Sequence, residues 1–167
     1  MNKLLKKLLL VFVYLFALSG QAMADSLADA NRLYDAGDYE NAAKLYIPLA
    51  KDGNAEAQYT LGMMYRAGRG VPHDYIEARR WYQLAAEQGN YLAQFYLGWI
   101  YAGGKGVPKD FVRSHMWISI AISNASGDAK KEFIVDRDAI EKSMAADQIA
   151  KARELAKKCT AKKFKDC

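Results

Sequence analysis

The side chains best able to carry chemistry are two histidines, two cysteines and a scattering of acids. His73 falls in a loop context and His115 in a helical one, and neither has a cysteine or paired acid nearby at metal-ligand spacing. No metal site follows, no cofactor is implied, and both imidazoles read as structural. Ser114 is adjacent to His115 only along the chain, whereas a nucleophile and its base must meet in space with a third group orienting the base. Glu77, Glu87, Asp136, Asp138 and Glu141 fit helix caps and solvated faces, and their spacing isolates no general acid–base pair. The chain reads as non-catalytic.

Cys159 and Cys167 flank the stretch "TAKKFKD". An even cysteine count in a chain that opens on an export segment predicts a disulfide closing this short loop. The other reading is a bond to another protein or a reactive thiol, although the redox pattern Cys-x-x-Cys is absent. Lys157, Lys158, Lys162, Lys163 and Lys165 make the tail basic. It reads as solvated, with contact to anionic lipid or cell-wall polymer as the lesser reading.

The export segment has a basic start at Lys3, Lys6 and Lys7, an apolar run from Leu8 to Leu18, and the small-residue pattern "AMA" at Ala22 to Ala24. The apolar run is too short for a transmembrane helix, so residues 1–24 are expected to be cleaved before Asp25. That places the remaining chain in a bacterial periplasm with no stable membrane insertion. Without the three leading lysines, 21 basic residues face 19 acidic ones, and the net charge drops from +5 to +2. Such a balance argues against a nucleic-acid partner, which wants a basic stripe or a recognisable module.

The loop "GRGVP" at Gly68 to Pro72 returns as "GKGVP" at Gly104 to Pro108, 36 residues on. It lacks the Gly-rich spacing followed by Lys-Ser/Thr that would cradle a phosphate, so it reads as a connector in a repeat protein. Residues 57–88 align with 93–124 throughout, pairing Gln58 with Gln94, Leu61 with Leu97, Gly62 with Gly98, Asp74 with Asp110 and Trp81 with Trp117. Gln58, Leu61, Gly62 and Tyr65 share one side of a first helix by their spacing. Gly62 in mid-helix predicts close approach by a second helix. That second helix starts after Asp74, with Glu77 completing a capping-box pattern, and Arg113 stands where the next copy would repeat the glutamate.

The stretches "AEAQYTLGMMYRAGRGVPHDYIEARRWYQLAAEQGN" and "LAQFYLGWIYAGGKGVPKDFVRSHMWISIAI" resemble the Sel1-like repeat family, relatives of the tetratricopeptide repeat. The resemblance implies an all-α fold, an α-solenoid of stacked antiparallel helix pairs. The repeats would occupy 55–90 and 91–128, preceded by a variant, tetratricopeptide-like first repeat at 25–54. Two capping helices are expected at 129–158, followed by the Cys-bounded tail at 159–167. "DQIAKARELAKK" is similar to a closing helix, but Ala145 and Ala146 stand where threonine and proline would start it, which weakens that start and leaves open whether the two helices stay separate or run together.

Opposite the repeating core face of the first helices lie Thr60 and Met63, then Tyr96 and Trp99, with Tyr59 and Phe95 beside them. In a solenoid such positions can line a concave apolar groove for a partner segment. Packing between neighbouring helices is the competing reading, and the preferred one for Tyr59, Phe95, Met64 and Ile100. The resemblance implies an adaptor that binds another envelope protein or peptide. The alternative is a protein acting on the cell wall or on β-lactams, as cysteine-rich relatives do, although this chain lacks their cysteine pairs inside the repeats. The oligomeric state is not legible.

Overall fold

A computed structural model describes residues 24–165 and 167. Eight helices and no strand occur among them: α1 (24–35), α2 (Tyr39–Lys51), α3 (Ala55–Ala67), α4 (Tyr75–Glu87), α5 (Tyr91–Gly103), α6 (Phe111–Asn124), α7 (Gly127–Glu141) and α8 (Ala146–Ala161). The expected signal segment lies outside the described residues but for Ala24.

Local chemistry sets the helix starts. Asn54 and Asn90 cap α3 and α5, each side chain accepting from the backbone N–H three residues on at 2.9 Å. Asp74 and Asp110 do the same for α4 and α6. The capping box expected of Glu77 is not completed, because its carboxylate turns to Arg80, 3.5 Å away, instead of back to the Asp74 N–H.

Consecutive helices pack against one another from α2 to α6, giving an all-α solenoid of antiparallel pairs. Within each pair the glycines sit at the point of closest approach. A Cβ on Gly62 would lie 2.7 Å from the Tyr82 ring, and one on Gly98 would lie 2.5 Å from Ile118 Cγ1 and 3.0 Å from the Ser114 carbonyl. Trp81 packs into the cluster shared with α2 and α3, and Trp117 into the one shared with α4 and α5. Each tryptophan therefore fills the seam toward the preceding repeat.

The repeated loop is a strap between repeats. Asp74 N–H donates to the Tyr65 carbonyl at 2.9 Å and Asp110 N–H to that of Tyr101 at 3.0 Å, folding each loop back on its own first helix. Gly70, at φ +69°, passes so close to the preceding repeat that a Cβ would run into the Tyr39 carbonyl. Beside it the Arg69 guanidinium lies 5.1 Å from the Tyr39 ring centroid, and the Lys105 ammonium lies 5.7 Å from that of Tyr75. A cation at the equivalent loop position thus lands on the first-turn tyrosine of the previous second helix in both copies.

At the end of the chain α7 and α8 are two separate helices and do not run together. Residues 142–145 separate them, and α7 and α8 each pack on α6. Ala145 cannot supply a capping side chain, but Gln148 Oε1 accepts the Ala145 N–H at 3.0 Å and so satisfies one end group. Cys159 lies inside the last turn of α8, buried in the core cluster, and is joined to Cys167 by a disulfide. Between them the Phe164 ring reaches back to within 3.5 Å of where a Cβ on Gly89 would stand, at the turn from α4 to α5.

Two stability predictions follow from this packing. Gly98→Ala gains helix propensity but collides with Ile118 and a backbone carbonyl, for a net loss of about 1–2 kcal/mol, while Gly103→Ala, facing only the flexible Lys105 chain, is neutral or stabilising. Thermal melts of the two variants should move apart, and equal melting temperatures would contradict the close approach. Opening the eight-residue disulfide loop with Cys159→Ser and Cys167→Ser together should cost about 2–3 kcal/mol in denaturant titrations.

Candidate functional site

The outward stripes of α3 and α5 meet in a continuous aromatic sheet. Tyr59 stacks on Tyr96 with centroids 6.0 Å apart, and Tyr96 stacks on Tyr82 at 5.4 Å with an interplanar angle of 13°. Trp99 follows one turn along α5, 37% exposed and 6.3 Å from the Tyr75 ring. Arg66, from the last turn of α3, lays its guanidinium across this sheet, 4.9 Å from the Tyr96 centroid and 5.8 Å from that of Trp99. Burial pushes the Tyr59 and Tyr82 hydroxyl pKa values well above the phenolic range, with the Arg66 charge working in the opposite direction on both. Both phenols therefore stay neutral at physiological pH.

A recess adjoins the sheet on each side. Between α5 and α7 a hollow of about 270 Å³ is walled by Phe95, Trp99, Ile118 and Ile140, with Asp136 among its lining residues. Between α1 and α3 a second of about 250 Å³ is lined by Tyr34, Tyr46, Thr60 and Met63, with Asp35 and Glu56 among its polar groups. At its floor Tyr46 donates to Asn31 Oδ1 at 2.5 Å, and burial pushes the Tyr46 pKa up to about 12.

The structure brings the expected groove residues onto one face but gives them different depths. Trp99 is exposed, Met63 and Tyr96 are half-buried, and Thr60 is buried. Tyr59 and Phe95 are half-buried by their packing, Phe95 stacking on Phe133 of α7 at 4.1 Å. Met64 and Ile100 are fully buried. Arg66 was not among the expected residues, because its counterpart in the next copy is Ala102 and no pattern marks it.

A second constellation joins the last helices. His115, 1% exposed on α6, places Nε2 at 2.6 Å from Glu141 Oε1, the oxygen that also accepts from Arg153 at 3.0 Å. Arg137 Nε stands 4.0 Å from the same atom, and Ser119 Oγ lies 3.3 Å from His115 Nδ1. Glu141 is thus not simply a solvated acid. Serine, histidine and carboxylate in line have the outline of an activated nucleophile. However, Ser119 stands in mid-helix, where the backbone N–H groups are spent in the helical ladder and none is left to hold an oxyanion. The arrangement ties α6, α7 and α8 together. The other histidine, His73, is exposed and packs edge-on against Tyr75 at 4.7 Å. No group of three or more metal-ligating side chains occurs among the described residues, and no helix there is long and apolar enough to cross a membrane.

Residues 55–90 and 92–126 match the family model of the Sel1 repeat. Among solved structures, the chain is similar to a protective antigen present in uropathogenic Escherichia coli strains displaying an SLR fold, at 27% identity and a TM-score of 0.76 over 85% of this chain. It is also similar to a Sel1 repeat protein from Oxalobacter formigenes, at 36% identity and a TM-score of 0.56 over 59% of this chain. The chain spans only 31% and 39% of the lengths of those two proteins. No curated protein matches it in sequence.

Glu141 makes stability pH-dependent. Its pKa is held below the ordinary carboxylate range, first by the His115 hydrogen bond and then by Arg153, against the effect of burial. A carboxyl whose folded pKa is depressed contributes stability that is complete above its unfolded pKa and is lost as pH falls through the folded value. Glu141→Gln should therefore melt a few degrees lower at pH 7 and lose less than the wild type on acidification below about pH 4. Parallel melting curves across that range would contradict this role.

Proposed function

We propose, from its two Sel1 repeats, a fold that generally mediates protein–protein interaction, that the chain is an exported, non-catalytic adaptor holding a protein or peptide partner in the bacterial periplasm. The observation that carries this reading is the α3–α5 face. There Trp99, Tyr96 and Met63 form an apolar surface between two recesses, rigidly backed by stacked rings. Large aromatic side chains held in place at a surface lose little conformational freedom on binding, and they dominate the affinity of the interfaces they enter. The basic, apolar and small-residue pattern of residues 1–24 supports export, and the count of 21 basic against 19 acidic residues in the remainder leaves no electrostatic footprint for nucleic acid.

A photo-crosslinking residue at position 99, in the protein as exported by the cell that makes it, should yield a discrete protein adduct. The adduct should be lost when the probe moves to position 84, which is exposed on α4. Trp99→Ala should remove the interaction while leaving the melting temperature within a degree or two. Absence of any adduct at position 99, joined to hydrolysis of a chromogenic β-lactam by the purified protein, would instead favour the cell-wall reading.

A further inference from the structure

The arginines of the described chain divide by what neutralises them. Arg32, Arg80, Arg113, Arg137 and Arg153 each have a carboxylate within reach. Arg69 is taken up by the Tyr34 hydroxyl and the Tyr39 ring, whereas Arg79, at the recess beside Asp110 and Arg113, has no carboxylate partner among the described residues and its Nε is buried without a hydrogen-bond partner. Arg66 likewise has no carboxylate partner among the described residues and its Nε is buried without a hydrogen-bond partner, the Tyr82 hydroxyl being the polar group its guanidinium faces. It is nonetheless held in place between Tyr96 and Trp99 at the centre of the proposed binding face.

On the adaptor reading, we infer that the segment bound there carries an internal Asp or Glu side chain set on Arg66, beside an apolar side chain seated in the recess at Trp99. A guanidinium flanked by rings is partly desolvated and fixed in plane, so a carboxylate meets it with little further ordering of the protein. The acids around it narrow the anion. Asp35 and Glu56 line the recess on one side and Asp136 the recess on the other, so a densely charged polyanion is repelled at both ends while a single carboxylate at the centre is not. A side chain within a segment fits better than a chain end, because the face continues past Arg66 in both directions. Trp99 both flanks Arg66 and walls the recess, which keeps the acid and the apolar anchor within about three residues of each other in an extended segment.

The test uses the full exported chain, immobilised and probed with a random dodecapeptide display library. Enriched peptides should carry Asp or Glu close to Leu, Ile, Met, Phe or Trp. A fluorescein-labelled copy of the best sequence should lose affinity about ten-fold or more on Arg66→Gln, and by the same factor when its acid is changed to the amide. The two changes together should cost little beyond either one, since both remove the same contact. Arg66→Lys should recover part of the loss and covers the case in which Arg66→Gln lowers the melting temperature. Peptides without an acid, or binding that survives Arg66→Gln yet fails with Trp99→Ala, would overturn the carboxylate inference and leave the adaptor reading standing. No enrichment would overturn the inference, and with no adduct at position 99 the adaptor reading falls with it.

Discussion

The frame of this protein depends on a buried side-chain amide that recurs once per repeat. Gln58 Nε2 donates to the Ala50 carbonyl at the end of α2 at 3.0 Å, and its oxygen accepts from Gln88 just past α4 at 2.8 Å. Gln94 does the same 36 residues on, donating to Ala86 at 3.1 Å and accepting from Asn124 at 3.0 Å. Each amide joins the C-terminal ends of two successive second helices through the first helix between them. Helix ends carry unsatisfied carbonyls, and a buried amide left without partners would cost more than its bonds contribute, so register and partner are set together.

Everything else in the stack is arranged about that tie. At the opposite end of the helices, the glycine loop straps each repeat to its predecessor, and the glycines at 62 and 98 let the paired helices approach. A helix pair of this size cannot bury its own apolar face, so a solenoid must end on something that is not another repeat. Here α7 and α8 close it, with Phe133 stacked on Phe95 and the disulfide-closed tail turned back on the α4–α5 turn. The His115–Glu141–Arg153 network holds this end together through charge-assisted bonds rather than through a repeat interface.

The same arrangement leaves one face free to differ between copies. Frame positions point toward neighbouring helices, so substitution there disturbs two interfaces at once. Positions such as 63, 66, 96 and 99 point away from the pairing seam and carry different residues in the two copies. A cation within an aromatic sheet can persist there because the rings replace part of its hydration.

The repeat, the Asp74 and Asp110 caps, the connector loop, the close glycine contacts and the all-α solenoid were legible in the sequence, because each depends on residues a few positions apart or on a strict period. The disulfide was legible from parity and spacing, with its alternatives open. Which outward residues are covered was not. Thr60 and Trp99 occupy similar stripes, yet one is buried under α1 and α2 and the other is exposed, because covering depends on which helix comes next in the stack. The separation of α7 from α8, the meeting of His115 with Glu141 and the place of Arg66 between two rings of α5 were likewise decided only by the tertiary structure. Helical spacing specifies a direction around one axis, whereas burial and charge pairing depend on the distance to a second axis that the spacing does not contain.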